Sequence, residues 1–313
     1  MTLPEILKGR LRLPAIGAPM FLVSGPELVI AQCKAGIVGA FPALNARPIA
    51  QLDEWLAQIR ESLGPNDAPF AVNLIVHRTN SRVEEELALV EKHRVPLIIT
   101  SLGAREDVIQ AVKGYGGTVL HDIISLVHAH KAADKGVDGL IAVAHGAGGH
   151  AGRLSPFALV QEIRAWWTGP LVLSGAIATG AAILAAQAMG ADLAYLGSPF
   201  IATDESRAQQ GYKEMIVASS ATDIVYTKAF SGVHGNYLVP SVLAAGYAVD
   251  ELDHLDKKMD MEARDLDTAK AWRDIWSAGQ GVGAVKEIVP VATLVGRLER
   301  EYRAARERLG LAS

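Results

Sequence analysis

Gly139-Leu140-Ile141-Ala142-Val143-Ala144-His145 runs into Gly146-Ala147-Gly148-Gly149-His150-Ala151-Gly152, and soon after comes Ser155-Pro156-Phe157-Ala158-Leu159-Val160. The first segment is apolar without alternation, as a strand buried on both faces should be. The last has a capping residue, Ser155, and a proline at the first helical position. Four glycines and a histidine therefore occupy a strand-to-helix loop. Glycine lets a backbone bend sharply and approach a flat ligand, because it carries no Cβ. A histidine there is placed for acid–base work near neutral pH.

The same strand–loop–helix unit recurs on both sides. Candidate strands are Leu13–Met20, Ile37–Leu44, Pro69–Val76, Leu97–Gly103, Gly117–Ile124, Gly139–His145, Leu171–Ile177 and Leu193–Ile201. Helical spacing fills the gaps. Ile49, Leu52, Leu56 and Ile59 form one stripe; Val83, Leu87 and Val90 form another, with Glu84, Glu85 and Glu86 read as its wet face. Eight such units predict a closed (β/α)8 TIM barrel, class α/β, in preference to an open doubly wound sheet. The alternation stops near Thr203, where a helix is expected from Asp204 to Val217. The domain reading is a barrel over 1–220 completed by a helical 284–313, with 221–283 as a small, mainly helical lid that includes a charged helix from Asp250 to Trp276.

Composition narrows the function classes. The 313 residues are half hydrophobic, enough for one large core, and the net charge of −4 comes without charge blocks, so neither nucleic acid nor an anionic membrane is an expected partner. No apolar run is long enough to span a bilayer and no secretory leader is legible, so the expected location is cytoplasmic. The single cysteine, Cys33, excludes an internal disulfide and reads as a core residue. No metal-ligand spacing appears. The histidines weighed beside His150 are His121, which ends the fifth predicted strand, and His234, both as candidates for lining a substrate pocket.

Ligands of such barrels sit at the C-terminal ends of the strands, with phosphates on the loops after strands seven and eight. Those loops read Leu173-Ser174-Gly175-Ala176-Ile177-Ala178-Thr179-Gly180 and Tyr195-Leu196-Gly197-Ser198-Pro199-Phe200. They supply small residues, backbone N–H groups and hydroxyls, and the first leads into a helix N-terminus. The first strand ends in Gly17-Ala18-Pro19-Met20, which allows a ring to lie against the backbone. Asn73 interrupts the apolar Phe70-Ala71-Val72-Asn73-Leu74-Ile75 and needs hydrogen-bond partners, either from a ligand or from nearby backbone.

Together Gly17–Met20, Asn73, Gly148-Gly149-His150-Ala151-Gly152, the two phosphate-type loops and the tail Trp276-Ser277-Ala278-Gly279-Gln280-Gly281-Val282-Gly283 resemble the nitronate monooxygenases, formerly called 2-nitropropane dioxygenases. The resemblance covers essentially the whole chain. It implies an FMN-binding barrel that oxidises alkyl nitronates with O2 to carbonyl compounds and nitrite; the expected partners are a small-molecule substrate and O2, and the expected state a monomer or homodimer. It implies further that Ala18, Pro19, Met20 and Asn73 contact the ring and that Gly148 and Gly149 line the cofactor. Ser174, Gly175, Ala176, Gly197 and Ser198 would hold the phosphate, Gln280 would lie near the flavin, and catalytic His150 would face the substrate. Two departures stand out: the family commonly has glycine at Ala176, and Thr-Arg where this chain has Ser198-Pro199. Losing such an arginine from a phosphate removes a contact worth about 1.5–3 kcal/mol. Related flavin barrels are NAD(P)H-dependent quinone or enoyl-acyl-carrier-protein reductases, and the motifs do not separate these from an oxygen-using enzyme. A barrel that binds a phosphorylated metabolite without flavin is a further alternative.

Overall fold

The computed structural model describes residues 3–255 and 274–311. Eight of its strands form one parallel sheet: β1 Ala15–Gly17, β2 Gly39–Pro42, β3 Phe70–Ile75, β4 Leu97–Ser101, β5 Thr118–Ile123, β6 Gly139–Val143, β8 Leu171–Ser174 and β9 Leu193–Leu196. Their order is β1-β9-β8-β6-β5-β4-β3-β2, and a parallel bridge from Ile16 to Val38 joins the two ends. This is the predicted (β/α)8 barrel. The interstrand helices are α1 Pro26–Lys34, α2 Ile49–Ser62, α3 Val83–Lys92, α4 Glu106–Gly114, α5 Leu126–Asp134, α6 Pro156–Arg164 and α7 Gly180–Met189.

The strands read as unbroken apolar runs because they are covered twice. Ile16, Val38, Ala71, Ile99, Leu120 and Ile141 pack in the lumen. Their chain neighbours Val72, Ile98, Val119, Leu140 and Ala142 belong to the layer under the helices. Successive side chains point to opposite faces. Helix α2 buries Leu52, Leu56 and Ile59 as its spacing implies.

Three expectations need correction. Each predicted strand runs too far at its C-terminal end: Met20, Leu102, Ile124 and Ile177, for example, leave the ladder and wall a cavity. After β9 the chain turns into a short helix, α8 Ser198–Ile201, since Pro199 has no N–H for a ladder and suits a first helical turn. The helix expected from Asp204 begins later, as α9 Gln210–Ala218, because Thr203 turns its hydroxyl back to the Phe200 carbonyl at 2.8 Å instead of capping forward. Finally, Glu86 is fully buried on α3 rather than wet. It falls on the same stripe as Val83 and Val90, where Asn80 donates to it at 3.3 Å, and burial raises its carboxyl pKa.

The region 221–283 contains strands as well as helices. β10 Ile224–Thr227 and β11 Gly235–Leu238 form an antiparallel pair, followed by α10 Val239–Ala244. The third member of that sheet is β7, Gly149–His150, with Gly235 opposite His150. Of the helix expected from Asp250 to Trp276, residues 256–273 lie outside the described residues; Val249–His254 form a 3-10 segment and Trp276 precedes an antiparallel bridge from Ser277 to Tyr237. The chain ends in α11 Val291–Arg308, whose Leu294 and Leu298 are buried against the barrel. At Gly180 an added Cβ would lie 2.0 Å from the Leu298 carbonyl oxygen, so α7 and α11 touch backbone to backbone.

Candidate active site

A cavity of about 980 Å³ opens at the C-terminal ends of the barrel strands. Its floor is the last lumen-facing position of several strands. Asn73 on β3, Ser101 on β4, Asp122 on β5, Ser174 on β8 and Tyr195 on β9 all line it. These polar residues cap an apolar barrel interior, and three of them are joined. Asn73 donates from Nδ2 to the Ile99 carbonyl at 3.0 Å and to Ser101 Oγ at 2.7 Å. Ser101 in turn donates to Asp122 Oδ2 at 2.5 Å. Both N–H bonds of the Asn73 amide are therefore spent, and its oxygen is left as an acceptor. Burial pushes the Asp122 carboxyl up to about 6 against the pull of the Ser101 hydroxyl. Asp122 Oδ1 and Tyr195 Oη are buried with no hydrogen-bond partner among the described residues.

The walls come from the predicted loops. Ala18, Pro19 and Met20 follow β1; Gly148, Gly149 and His150 follow β6; Gly175 and Ala176 follow β8; Gly197 and Ser198 follow β9. All line the cavity. Ala176 adopts φ +55°, the left-handed region that favours glycine, at the position where the resemblance leads one to expect it. The expected helix N-terminus for a phosphate is already engaged, a correction to the sequence reading. The Gly180 N–H of α7 donates to Glu301 of α11 at 2.8 Å, and the Ala182 N–H to Thr179 Oγ1 at 3.2 Å. Ser198 Oγ accepts the Gly279 N–H at 2.8 Å, which leaves its own proton to donate.

The tail is held to the glycine loop by contacts no side chain would permit. An added Cβ on Gly148 would lie 2.7 Å from Gly279 N, one on Gly279 would lie 2.7 Å from Gly146 O, and one on Gly281 would lie 2.7 Å from Ala176 O. The Gln280 N–H donates to Gly146 O at 2.9 Å and Asn236 Nδ2 to Ala147 O at 2.6 Å. Gly279 and Gly281 line the cavity, while the Gln280 side chain lies against Gly146 and does not line it.

His150 is positioned by pairing rather than by a loop. β7 lies beside β11, and His150 Nε2 sits 2.9 Å from Ser231 Oγ. Ser231 Oγ is also 3.0 Å from the Val233 carbonyl, which can only accept. With the hydroxyl proton directed there, the oxygen accepts Nε2–H, which defines the tautomer. Burial lowers the His150 pKa to about 4, so the ring is neutral at pH 7.

The secondary histidines fare differently. His121 lines the cavity's edge, but it follows lumen-facing Leu120 and so faces the helix layer, with Nδ1 2.7 Å from Thr100 Oγ1 and a pKa lowered to about 4 by burial. His234 does not line the cavity. Its ring stacks on Tyr226 at 5.1 Å and its carbonyl accepts the Ala151 N–H, because β10 and β11 turn it outward. Cys33 is buried away from the site with its thiol pushed up to about 12. Among the described residues no group of three or more His, Cys, Asp or Glu is placed to hold a metal, and no helix is long and apolar enough to cross a membrane.

Sequence reasoning missed Ser101, Asp122, Tyr195 and Ser231. A signal existed for the first three: each is a polar residue two positions after a lumen apolar one, in Ile99-x-Ser101, Leu120-x-Asp122 and Leu193-x-Tyr195.

Residues 77–301 match the family model described as nitronate monooxygenase. A nitronate monooxygenase of Paraburkholderia phytofirmans is 28% identical, over 95% of this chain and 94% of its own. Among solved structures, a nitroalkane oxidase from Streptomyces ansochromogenes superposes with TM-score 0.80 at 27% identity, covering 97% of this chain and 100% of that one. FabK from Thermotoga maritima does so with TM-score 0.82 at 25% identity, covering 98% and 97%.

Proposed function

Because this chain belongs to the nitronate monooxygenase family, we propose that it is an FMN-dependent oxidoreductase that converts alkyl nitronates with O2 to a carbonyl compound and nitrite. The cavity residues fit a flavin. Its polar floor holds two buried atoms without partners among the described residues, its walls are mainly small and apolar, and two loops of hydroxyls and small residues lie at the end where a phosphate belongs. Ala18, Pro19, Met20, Asn73, Gly148 and Gly149 would receive the ring, Ser174, Gly175, Ala176, Gly197 and Ser198 the phosphate, with Gln280 holding Gly146 behind them. The bound cofactor would supply the electron-accepting and oxygen-reactive chemistry, which no side chain provides.

His150 is the observation that carries the reading. It is a neutral, half-buried imidazole at the cavity wall, steadied by Ser231. An anion sharing that cavity favours the charged imidazole, so a nitronate and a proton on His150 stabilise one another. The same lowered pKa makes His150 a weak base. A nitronate, which needs no deprotonation, suits it better than a neutral nitroalkane.

The test is anaerobic mixing of FMN-loaded protein with an alkyl nitronate and, separately, with NADH, following the flavin spectrum. Reduction by the nitronate and none by NADH is expected. Rapid bleaching by NADH alone would transfer the protein to the nicotinamide-dependent reductases and refute the proposal.

A further inference from the structure

The floor of the cavity carries a directed hydrogen-bond chain that ends in an open position. The Ile99 carbonyl can only accept, which orients the Asn73 amide; Asn73 then donates to Ser101, and Ser101 donates to Asp122 Oδ2. The order Asn73 to Ser101 to Asp122 is thereby set along three neighbouring strands. Asp122 Oδ1, the far end, and Tyr195 Oη from β9 are buried without a hydrogen-bond partner among the described residues. Buried polar atoms at a cavity surface are costly unless a ligand or water completes them. Burial and the Ser101 hydroxyl are what act on the Asp122 carboxyl, which in turn acts on the Tyr195 phenol; the other titratable or charged groups lining the cavity are His77, His121, His128, His150, Tyr212, Arg47 and Lys131.

An ionised carboxylate oxygen and a phenol hydroxyl lining the same cavity offer it one acceptor and one donor. The edge of a flavin ring that matches this pair is its imide, an N–H flanked by carbonyls. We propose that Asp122 Oδ1 accepts the imide N–H of the bound cofactor while the Tyr195 hydroxyl donates to an adjacent ring carbonyl. The floor, and not the phosphate loops alone, then selects an isoalloxazine. This rests on the flavin reading above and extends it to residues that the motifs did not include.

The consequence is a pH-dependent affinity of defined sign. With Ser101 donating to Oδ2, a proton taken up by the carboxyl competes with the imide N–H for Oδ1, so FMN binding weakens as pH falls through the carboxyl's pKa of about 6. Asp122→Asn presents the cofactor with an amide N–H in place of an acceptor.

The experiment measures dissociation constants by flavin fluorescence, below and above that pKa, for FMN and for 3-methyl-FMN, whose imide nitrogen carries no hydrogen. The full-length protein is used throughout, with Asp122→Asn and Tyr195→Phe beside it. In the unsubstituted protein, 3-methyl-FMN is expected to bind about ten- to a hundred-fold more weakly than FMN above the pKa, the range for a hydrogen bond to a charged group. Asp122→Asn is expected to bind FMN correspondingly weakly, to lose most of the discrimination, and to keep only the pH dependence that FMN and 3-methyl-FMN share through their phosphate. Tyr195→Phe should weaken both flavins alike. If Asp122→Asn does not fold, the comparison of the two flavins on the unsubstituted protein decides. Equal affinity for FMN and 3-methyl-FMN overturns the Asp122 contact and leaves the flavin reading standing. So does discrimination that survives unchanged in Asp122→Asn. Failure to bind either flavin overturns both.

Discussion

Gly148→Ala tests whether the glycine-rich loop and the C-terminal tail form one unit. Nothing is strained at Gly148 itself, since its φ is not in the left-handed region; the demand is steric. The new methyl would sit 2.7 Å from Gly279 N and 2.9 Å from the Ala278 carbonyl carbon, both backbone atoms that cannot rotate away. Reaching an ordinary contact of about 3.4 Å moves the tail by roughly 0.7 Å. That displacement stretches two short bonds, Gly279 N–H to Ser198 Oγ at 2.8 Å and Gln280 N–H to Gly146 O at 2.9 Å. Overpacking costs about 1–3 kcal/mol and each of the two weakened hydrogen bonds about 1 kcal/mol, so a loss of roughly 3–5 kcal/mol is expected. In a chain of this size that is a fall in Tm on the order of 5 °C. The control is Gly149→Ala, where the added methyl meets nothing and only the backbone conformation, φ +66°, resists, at about 1 kcal/mol. Calorimetry of both variants, with FMN affinity measured alongside, is the assay. Gly148→Ala melting at or above Gly149→Ala, with unchanged FMN affinity, would refute the account of the loop and tail.

Three further outcomes follow from the geometry. His150→Ala is expected to abolish nitronate turnover while flavin stays bound, and Ser231→Ala to lower kcat/KM about 2- to 10-fold by releasing the ring; a Ser231→Ala enzyme as fast as the unsubstituted one would dismiss the positioning role. His121 and His150 titrate near 4 in the folded chain against 6.5 when unfolded, so between these values the unfolded chain binds more protons and stability falls as pH drops from 6.5 toward 4. Asp122 opposes this in part, having a folded value of about 6, and denaturant melts across the range in His121→Phe should show a shallower slope. Asp192→Ala removes the buried carboxylate that accepts from Arg164 and from the Leu171 N–H, and is expected to cost at least about 3 kcal/mol in urea unfolding; a loss below about 1 kcal/mol would show that Arg164 is held by its carbonyl partners alone.

Much of the architecture was legible before any coordinates. Unbroken apolar runs such as Leu140–Val143, alternating with stripes such as Leu52, Leu56 and Ile59, are what strands covered on both sides and helices covered on one must look like. Gly175, Gly197 and the Gly146–Gly149 loop marked the strand ends that the fold gathers into one cavity, and Asn73 announced itself as an amide in an apolar strand. Strand ends were misjudged because residues such as Met20 and Ile124 are apolar for the sake of the cavity wall, not the ladder.

The sequence by itself determined the repeating unit, the covered faces and the glycine-rich connection after the sixth barrel strand, because these depend on neighbours a few residues apart. Tertiary structure alone decided the rest. When both faces of a strand are buried, alternation does not say which face is the lumen, so Ser101, Asp122 and Tyr195 had no visible common destination until the sheet closed through Ile16 and Val38. Nor could local pattern reveal that Gly149-His150 is a strand, since its partner is Gly235 and the hydroxyl that orients its imidazole belongs to Ser231. Contacts across such separations depend on chain closure, which no local periodicity encodes.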